Sequence, residues 1–149
     1  MLTPLRRRLL AVGIAVTAIP LVLVATFAYF LMNDDGCANS MLSESRSPDG
    51  RYKAVVFERS CGATTGFSTQ VSILPIDATQ PRSGGNALVV DTDHGAAPIG
   101  KGGGPTVRVD WLSAHNLQLT YHPKARTYAA AGQVEEVRIT HTRSVQNGG

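Results

Sequence analysis

The sequence predicts an all-β domain, a small antiparallel β-sandwich or barrel-like sheet, behind one N-terminal transmembrane helix. Three observations lead to this fold class. Beyond residue 33, apolar and polar side chains alternate over short runs, and turns rich in Gly, Pro, Asn and Asp separate these runs. No run in this part of the chain has the periodicity of an amphipathic helix. The third observation is a long apolar stretch that precedes the alternating runs.

Residues 9–32 form that apolar stretch and contain no charged side chain. As a helix that rises about 1.5 Å per residue, they would span about 36 Å, more than a bilayer core of about 30 Å. The basic tip, residues 1–8, carries consecutive arginines that would hold the N-terminus in the cytoplasm. We therefore expect a signal anchor in the bacterial inner (cytoplasmic) membrane, with a periplasmic or extracellular C-terminal domain. A signal peptide cleaved after Ala28 is the alternative.

The rest of the chain divides into a tether at 33–41, the β domain at 42–142 and a frayed tail at 143–149. Ser47-Pro48-Asp49-Gly50 is a strong turn signal. The alternating runs predict about six or seven strands. The strands predicted are residues 51–59, 67–74, 87–91, 106–112, 117–122 and 134–142, with 127–133 either an irregular loop or an edge strand. Residues 77–86 are predicted to form a surface loop and residues 92–105 a long Gly-rich connection.

The charge distribution argues against a nucleic-acid partner. The chain has a formal net charge of +3, and the basic tip accounts for this excess. Nucleic-acid binding needs clustered Lys and Arg on the folded part, where the charges here alternate in sign. Residues 95–102 match the start of a phosphate-binding loop, but Gly102 replaces the hydroxyl that binds magnesium, and a strand follows instead of a helix. We expect no nucleotide and no cofactor.

Two cysteines, Cys37 and Cys61, lie in the part predicted to be exported. An even number of cysteines in an oxidising compartment favours a disulfide. The bridge would close a loop of roughly 25 residues, which contributes about 3 kcal/mol in the chain-entropy model. The alternative is that Cys61 is a nucleophile paired with a histidine, for which His94, His115 and His122 are candidates.

The hairpin loop after Cys61 is rich in hydroxyl side chains. It is either a purely structural loop or a surface that binds a ligand through hydroxyl and backbone groups. For the second case the candidate binding residues are Thr64, Thr65, Phe67 and Ser68. Nearby, Asp91, Asp93 and His94 have the side chains of metal ligands, but their spacing gives a weak signal, and we expect no metal site.

The run "SPDGRYKAVVFERSCGATTGFSTQVSIL" resembles a group of small bacterial membrane-anchored proteins of no assigned activity. Their shared features are a Ser-Pro-Asp-Gly turn, the strand after it and a Cys-Gly-Ala-Thr-Thr loop. The resemblance covers residues 37–74 and, more loosely, residues 109–122. It implies a membrane-anchored chain with one β domain and assigns no catalytic residue.

The sequence therefore predicts a non-catalytic single-pass membrane protein. Its outward-facing, disulfide-linked β domain would bind a protein or an envelope component, through the hairpin loop and the Gly-rich loop at 95–104. A purely structural subunit of a membrane complex fits the same residues. The alternative from another class is an envelope hydrolase or thiol enzyme that uses Cys61 with a histidine.

Overall fold

The structure, a computed structural model, describes residues 16, 18–29, 36–62, 65–81 and 83–145. The chain divides into two compact units, Met1–Gly36 and Cys37–Gly149. In the first unit, residues 18–29 form helix α1. Within the described residues no helix is long and apolar enough to cross a membrane. The predicted span at 9–32 reaches beyond these residues at both ends. The basic tip, residues 33–35, Thr64 and the end of the tail at 146–149 also lie outside them.

The second unit is built from strands in two sheets. The strands are β1 (Ala38–Arg46), β2 (Tyr52–Ser60), β3 (Ser68–Pro75), β4 (Leu88–Asp91), β5 (Val107–Ser113), β6 (Asn116–Tyr121), β7 (Arg126–Ala130), β8 (Gln133–Val134) and β9 (Val137–Arg143). Sheet 1 has the order β1-β2-β3-β4-β7, and sheet 2 has the order β5-β6-β9-β8. The prediction of a small β domain is confirmed.

One hydrophobic cluster lies between the two sheets. Period-two alternation turns one side chain in two toward the partner sheet, so β2, β3, β4, β6 and β9 contribute alternate residues. Sheet 1 contributes Ala54, Val56, Val71, Ile73, Leu88 and Val90, and sheet 2 contributes Leu117, Leu119, Tyr121, Val137 and Ile139. In the described part of the second unit, the arrangement is a β-sandwich with this cluster as its core.

The predicted turn at 47–50 joins β1 to β2. Gly50 N–H donates to the Ser47 carbonyl over 2.9 Å, and Gly50 has a φ of 69°. The buried Ser47 hydroxyl donates to Asp49 Oδ1 over 2.7 Å. Strand β1 starts at Ala38, ahead of the predicted domain start at 42. The polar composition of β1 concealed it, because an edge strand with exposed side chains needs no apolar alternation.

Part of the outer face of sheet 1 is also buried, and the connection between β3 and β4 crosses this face. Val55 and Phe57 on β2 are each 1% exposed, although they lie outside the central cluster. The connection is hydrogen-bonded to β1, where Asn39 Nδ2 donates to Pro81 O over 2.8 Å, and to β3, where Gly85 N–H donates to Gln70 Oε1 over 2.6 Å. It therefore spans β2 between them.

One strand pair departs from the predicted antiparallel arrangement. β6 and β9 are parallel, with Asn116 opposite Arg138 and Tyr121 opposite Arg143. A parallel pair requires a crossover connection. Here the chain leaves sheet 2 after β6 and adds β7 to sheet 1. It then returns to sheet 2, where β9 runs parallel to β6. The purely antiparallel prediction is wrong at this pair.

Candidate functional site

Three side chains form a row across neighbouring strands of sheet 1. Ser68 on β3 is opposite Asp91 on β4, and Asp91 is opposite Arg126 on β7. The next residue on β4, Val90, points into the core, so Asp91 lies on the outer face of the sheet. This row forms the floor of a cavity of about 560 Å³, called the Asp91 cavity below. Its lining includes Thr65, Phe67, Ser68, Asp91, Arg126 and Tyr128.

The carboxylate of Asp91 is the centre of a hydrogen-bond network. Arg126 donates two hydrogen bonds to it, from Nε to Oδ1 over 3.2 Å and from Nη2 to Oδ2 over 2.5 Å. The Tyr128 hydroxyl donates to Oδ2 over 2.9 Å, and the Asp93 N–H donates to Oδ1 over 2.9 Å. The guanidinium also lies over the Tyr128 ring, 5.0 Å from its centroid. Bidentate pairing fixes the plane of the guanidinium as well as its charge.

This network shifts the ionisation of its members. Burial acts to raise the pKa of Asp91, but the hydrogen bonds from Arg126, Asp93 and Tyr128 together outweigh it, so the pKa is lower than usual. The hydrogen bond to Asp91 raises the pKa of Arg126 and also that of Tyr128. At neutral pH the cavity therefore holds a charged Asp91–Arg126 pair and a protonated Tyr128 hydroxyl.

A β-bulge places Tyr128. The register between β4 and β7 shifts between Val89 and Val90, which are opposite Ala129 and Thr127, so Tyr128 is the extra residue of the bulge. A bulge re-aims a side chain and bends its strand. Its effect here is that the hydroxyl of Tyr128 reaches Asp91 on the neighbouring strand.

The chain that follows β4 has an unusual backbone. Asp93, His94 and Gly95 have consecutive positive φ values of 47°, 55° and 93°. Residues other than glycine rarely occupy this region, and such positions persist where the surrounding structure holds them. The Asp91–Asp93 hydrogen bond and the bond from Ala97 N–H to the Thr92 carbonyl, 2.9 Å long, hold this turn. His94 lines the cavity as a result.

The hairpin loop and the Gly-rich loop, predicted as two contact sites, meet at this cavity. Gly103 has a φ of 77°, and a Cβ atom placed on it would lie 2.7 Å from Cδ2 of Phe67. The absence of a side chain on Gly103 thus lets the aromatic ring pack against the backbone. Thr65, Phe67 and Ser68, three of the four candidate binding residues, line one cavity, and Thr64 lies outside the described residues.

Cys37 and Cys61 form a disulfide with a Cα–Cα distance of 4.0 Å, as predicted. The bridge ties the start of the β domain to the end of β2, where the hairpin loop begins. The three histidines considered as partners for Cys61 lie at three different places in the fold. His94 lines the Asp91 cavity, His115 is exposed in the turn between β5 and β6, and His122 lines a second cavity.

The second cavity, of about 830 Å³, is lined by residues of β1, β2, β3 and β5 and of the Gly-rich loop. Its lining is mainly apolar and includes Leu42, Val56, Ile99, Pro105 and Val107, with Lys101 among the polar residues.

As for metals, the part of the chain that the structure describes contains no group of three or more His, Cys, Asp and Glu side chains arranged to hold an ion. Asp91, one of the three residues weighed as metal ligands, is instead bound to Arg126.

Sequence reasoning missed Arg126 and Tyr128 as site residues. Their spacing in "ARTYAA" fits a strand with both side chains on one face, and this signal was available. The pairing of their strand, β7, with β4 was not predictable, since β4 and β7 are separated by β5 and β6 in the chain.

Together the fold and the cavity define a disulfide-linked β-sandwich domain with a polar surface site. Comparison of the chain with protein-family models, curated proteins and solved structures found no match.

Proposed function

We propose that this chain is a single-pass protein of the bacterial cytoplasmic membrane whose outward-facing β domain binds an envelope component in the Asp91 cavity, without catalysis. One observation carries the proposal. Side chains from β3, β4, β7 and the hairpin loop converge on one cavity, where Arg126 and Tyr128 are hydrogen-bonded to Asp91. A concave site with a few convergent polar groups is the usual form of a binding site.

The membrane part of the proposal rests on the uncharged stretch at 9–32 and the basic tip before it. The described helix supports it through the exposure of its large apolar side chains. These are Ile19, Leu21, Val22, Leu23, Val24 and Phe27, each at least 59% exposed. A helix that is apolar on all sides requires an apolar environment.

Two observations on candidate reactive groups support the non-catalytic part of the proposal. A thiol nucleophile needs a thiolate, and Cys61 is bridged to Cys37. A general base needs a pKa close to the working pH, and the pKa of Asp91 is lowered away from it. Both observations favour binding over the alternative of a hydrolase or thiol enzyme.

Co-sedimentation with the insoluble envelope fraction tests the proposal on the full-length protein in detergent. Arg126→Ala removes the guanidinium that orders the cavity, so we expect it to abolish sedimentation. Arg51→Ala is the matched control. Arg51 is also an exposed arginine with a carboxylate partner, Glu136 at 2.7 Å, and a neighbouring aromatic ring, Tyr52 at 5.5 Å, but it lies outside the Asp91 cavity.

Thermal unfolding of both variants shows whether each remains folded. A folded Arg126→Ala protein that sediments as well as the wild type would contradict the proposal. If Arg126→Ala unfolds, Phe67→Ala serves in its place, since Phe67 is 48% exposed and its truncation leaves the hydrogen-bond network intact.

A further inference from the structure

We infer that the ligand of the Asp91 cavity is a neutral carbohydrate segment of the envelope. This inference rests on the proposed function and adds the chemical class of the ligand. It follows from three properties of the cavity: the pairing of its charges, the hydrogen-bonding groups that remain, and the exposed aromatic rings at its edge.

The cavity is poorly suited to an anion. Its guanidinium, on Arg126, is bidentately paired with Asp91, and Nη1 of the same group lies 3.7 Å from Oδ1 of Asp93. One positive group therefore faces two carboxylates. Sites for phosphate, sulfate or carboxylate offer arginine forks or lysines that the ligand itself neutralises. An anion here would share the Arg126 guanidinium with Asp91 and lie close to the carboxylates of Asp91 and Asp93, which repel it.

The cavity is equally poorly suited to a cation at Asp91. The two carboxylate oxygens accept four hydrogen bonds, two from Arg126, one from Tyr128 and one from the Asp93 N–H. A carboxylate offers about four lone-pair sites, so this one is saturated. An ammonium group or a metal ion would have to replace an existing donor.

The groups that remain for a ligand suit hydroxyls. The Tyr128 oxygen donates to Asp91 and keeps its lone pairs as an acceptor. Arg126 has N–H groups beyond the two that bind Asp91, and the Thr65 hydroxyl, which donates to the Gly62 carbonyl over 3.2 Å, can accept. A ligand that both donates and accepts without net charge matches this set.

Two aromatic rings are exposed at this polar cavity. Phe67 is 48% exposed and Tyr128 is 60% exposed. A single exposed apolar side chain is normal, but two large rings beside a polar floor call for a ligand with apolar faces as well as hydroxyls. A pyranose ring has this combination, because its C–H faces pack on aromatic rings while its hydroxyls point outward to polar groups.

Both rings are held in place by contacts within the protein. Gly103 packs against Phe67, and Tyr128 is fixed by the bulge and by Asp91. The disulfide at Cys61 anchors the hairpin loop that carries Phe67. Groups ordered in advance lower the entropy that binding must offset, which matters for a solvated ligand such as a sugar.

The test is binding of the labelled full-length protein in detergent to an array of neutral and anionic bacterial oligosaccharides. We expect neutral glycans to be bound in preference to anionic ones. Tyr128→Ala and Phe67→Ala should each weaken binding by about tenfold, the effect of losing an aromatic contact worth about 1.4 kcal/mol. Leu112→Ala is the matched control, since Leu112 is 62% exposed and lies on β5 of the other sheet, and it should leave binding unchanged.

Two results would overturn the carbohydrate assignment: no neutral glycan bound, or a preference for anionic glycans. If sedimentation with the envelope still depended on Arg126 in that case, the proposed function would stand and only the ligand class would be wrong. If glycan binding and the Arg126-dependent sedimentation both failed, the proposed function itself would fail.

Discussion

At the residue scale, Asp91 shows how one carboxylate organises a site. Its side chain is 16% exposed and receives hydrogen bonds from a guanidinium, a phenol and a backbone amide. Burying a charge is costly unless each lone pair finds a donor. Here the donors come from β7 and from the turn after β4, so the charged form is stabilised, and the cavity keeps its geometry at neutral pH.

The pH dependence of Asp91 is a direct prediction. A lowered pKa in the folded state means that Asp91 stabilises the fold above its unfolded pKa of about 3.9, and that this contribution is lost as pH falls through the folded pKa. Asp91→Asn should cost about 2 kcal/mol at pH 7, since hydrogen bonds to charged groups are worth about that much. Below about pH 4 the difference from wild type should shrink.

Urea unfolding of both proteins at several pH values measures this difference. The control is Asp77→Asn, because Asp77 is exposed in the connection between β3 and β4. A difference between Asp91→Asn and wild type that stays constant down to the lowest pH would contradict the lowered pKa.

At the element scale, the hairpin of β1 and β2 depends on its turn. Ser47 closes it with its backbone, and its hydroxyl receives the Tyr52 N–H over 3.0 Å while donating to Asp49. Gly50 completes the turn with a positive φ. The hairpin brings Cys37 opposite the end of β2 and so makes the disulfide possible.

Gly50→Ala should destabilise the domain by about 1 kcal/mol, because an alanine in the left-handed region costs about that much. Space is not the cause, since a Cβ on Gly50 would meet no atom within 4 Å. Gly132→Ala is the matched control, since Gly132 also has open space but no positive φ. Equal urea midpoints for the two variants would show that turn conformation is not what Gly50 supplies.

At the scale of the whole molecule, the sandwich buries both faces of part of sheet 1. The central cluster covers the inner face, and Val55 and Phe57 are buried on the outer face, which the connection between β3 and β4 crosses. The rest of the outer face, toward β4 and β7, carries the Asp91 cavity. The Asp91 cavity thus lies on the outer face of a sheet whose inner face packs in the core.

The disulfide acts on the stability of the entire domain. Replacing both cysteines, Cys37→Ser with Cys61→Ser, should lower the free energy of unfolding by about 3 kcal/mol, because the unfolded chain regains the entropy of the open loop. That is a large fraction of a typical total of about 5–15 kcal/mol. Urea unfolding measures the loss, and reduced wild-type protein is the control, with the same expected loss.

Mass spectrometry after thiol alkylation provides the complementary check. The unreduced protein should take up no alkyl group, and the reduced protein should take up one at Cys37 and one at Cys61. Alkylation of the unreduced protein would show that the thiols are free, and the alternative with a nucleophilic Cys61 would then need to be tested.

Local signals account for the features that were predicted correctly. The turn at 47–50, the bridge of Cys37 to Cys61 and the alternating core strands depend on a few neighbouring residues or on the count of cysteines. Features that depend on distant pairing were missed. β1 has a polar sequence because its side chains are exposed, and the parallel pairing of β6 with β9 depends on β7 joining the other sheet.

The residues of the candidate site also fall into two groups, those that local sequence signals indicated and those that only distant strand pairing brings together. Thr65, Phe67 and Ser68 were proposed as binding residues from the hydroxyl-rich composition of the hairpin loop, and they line the Asp91 cavity, whereas Arg126 and Tyr128 were not proposed. By itself the sequence determined the β class and the turn, because alternation and short-range conformational preferences encode them, and the disulfide, because the chain has two cysteines. Only the tertiary structure decided that Ser68, Asp91 and Arg126 share one row, because register and strand order arise from packing between segments far apart in the chain.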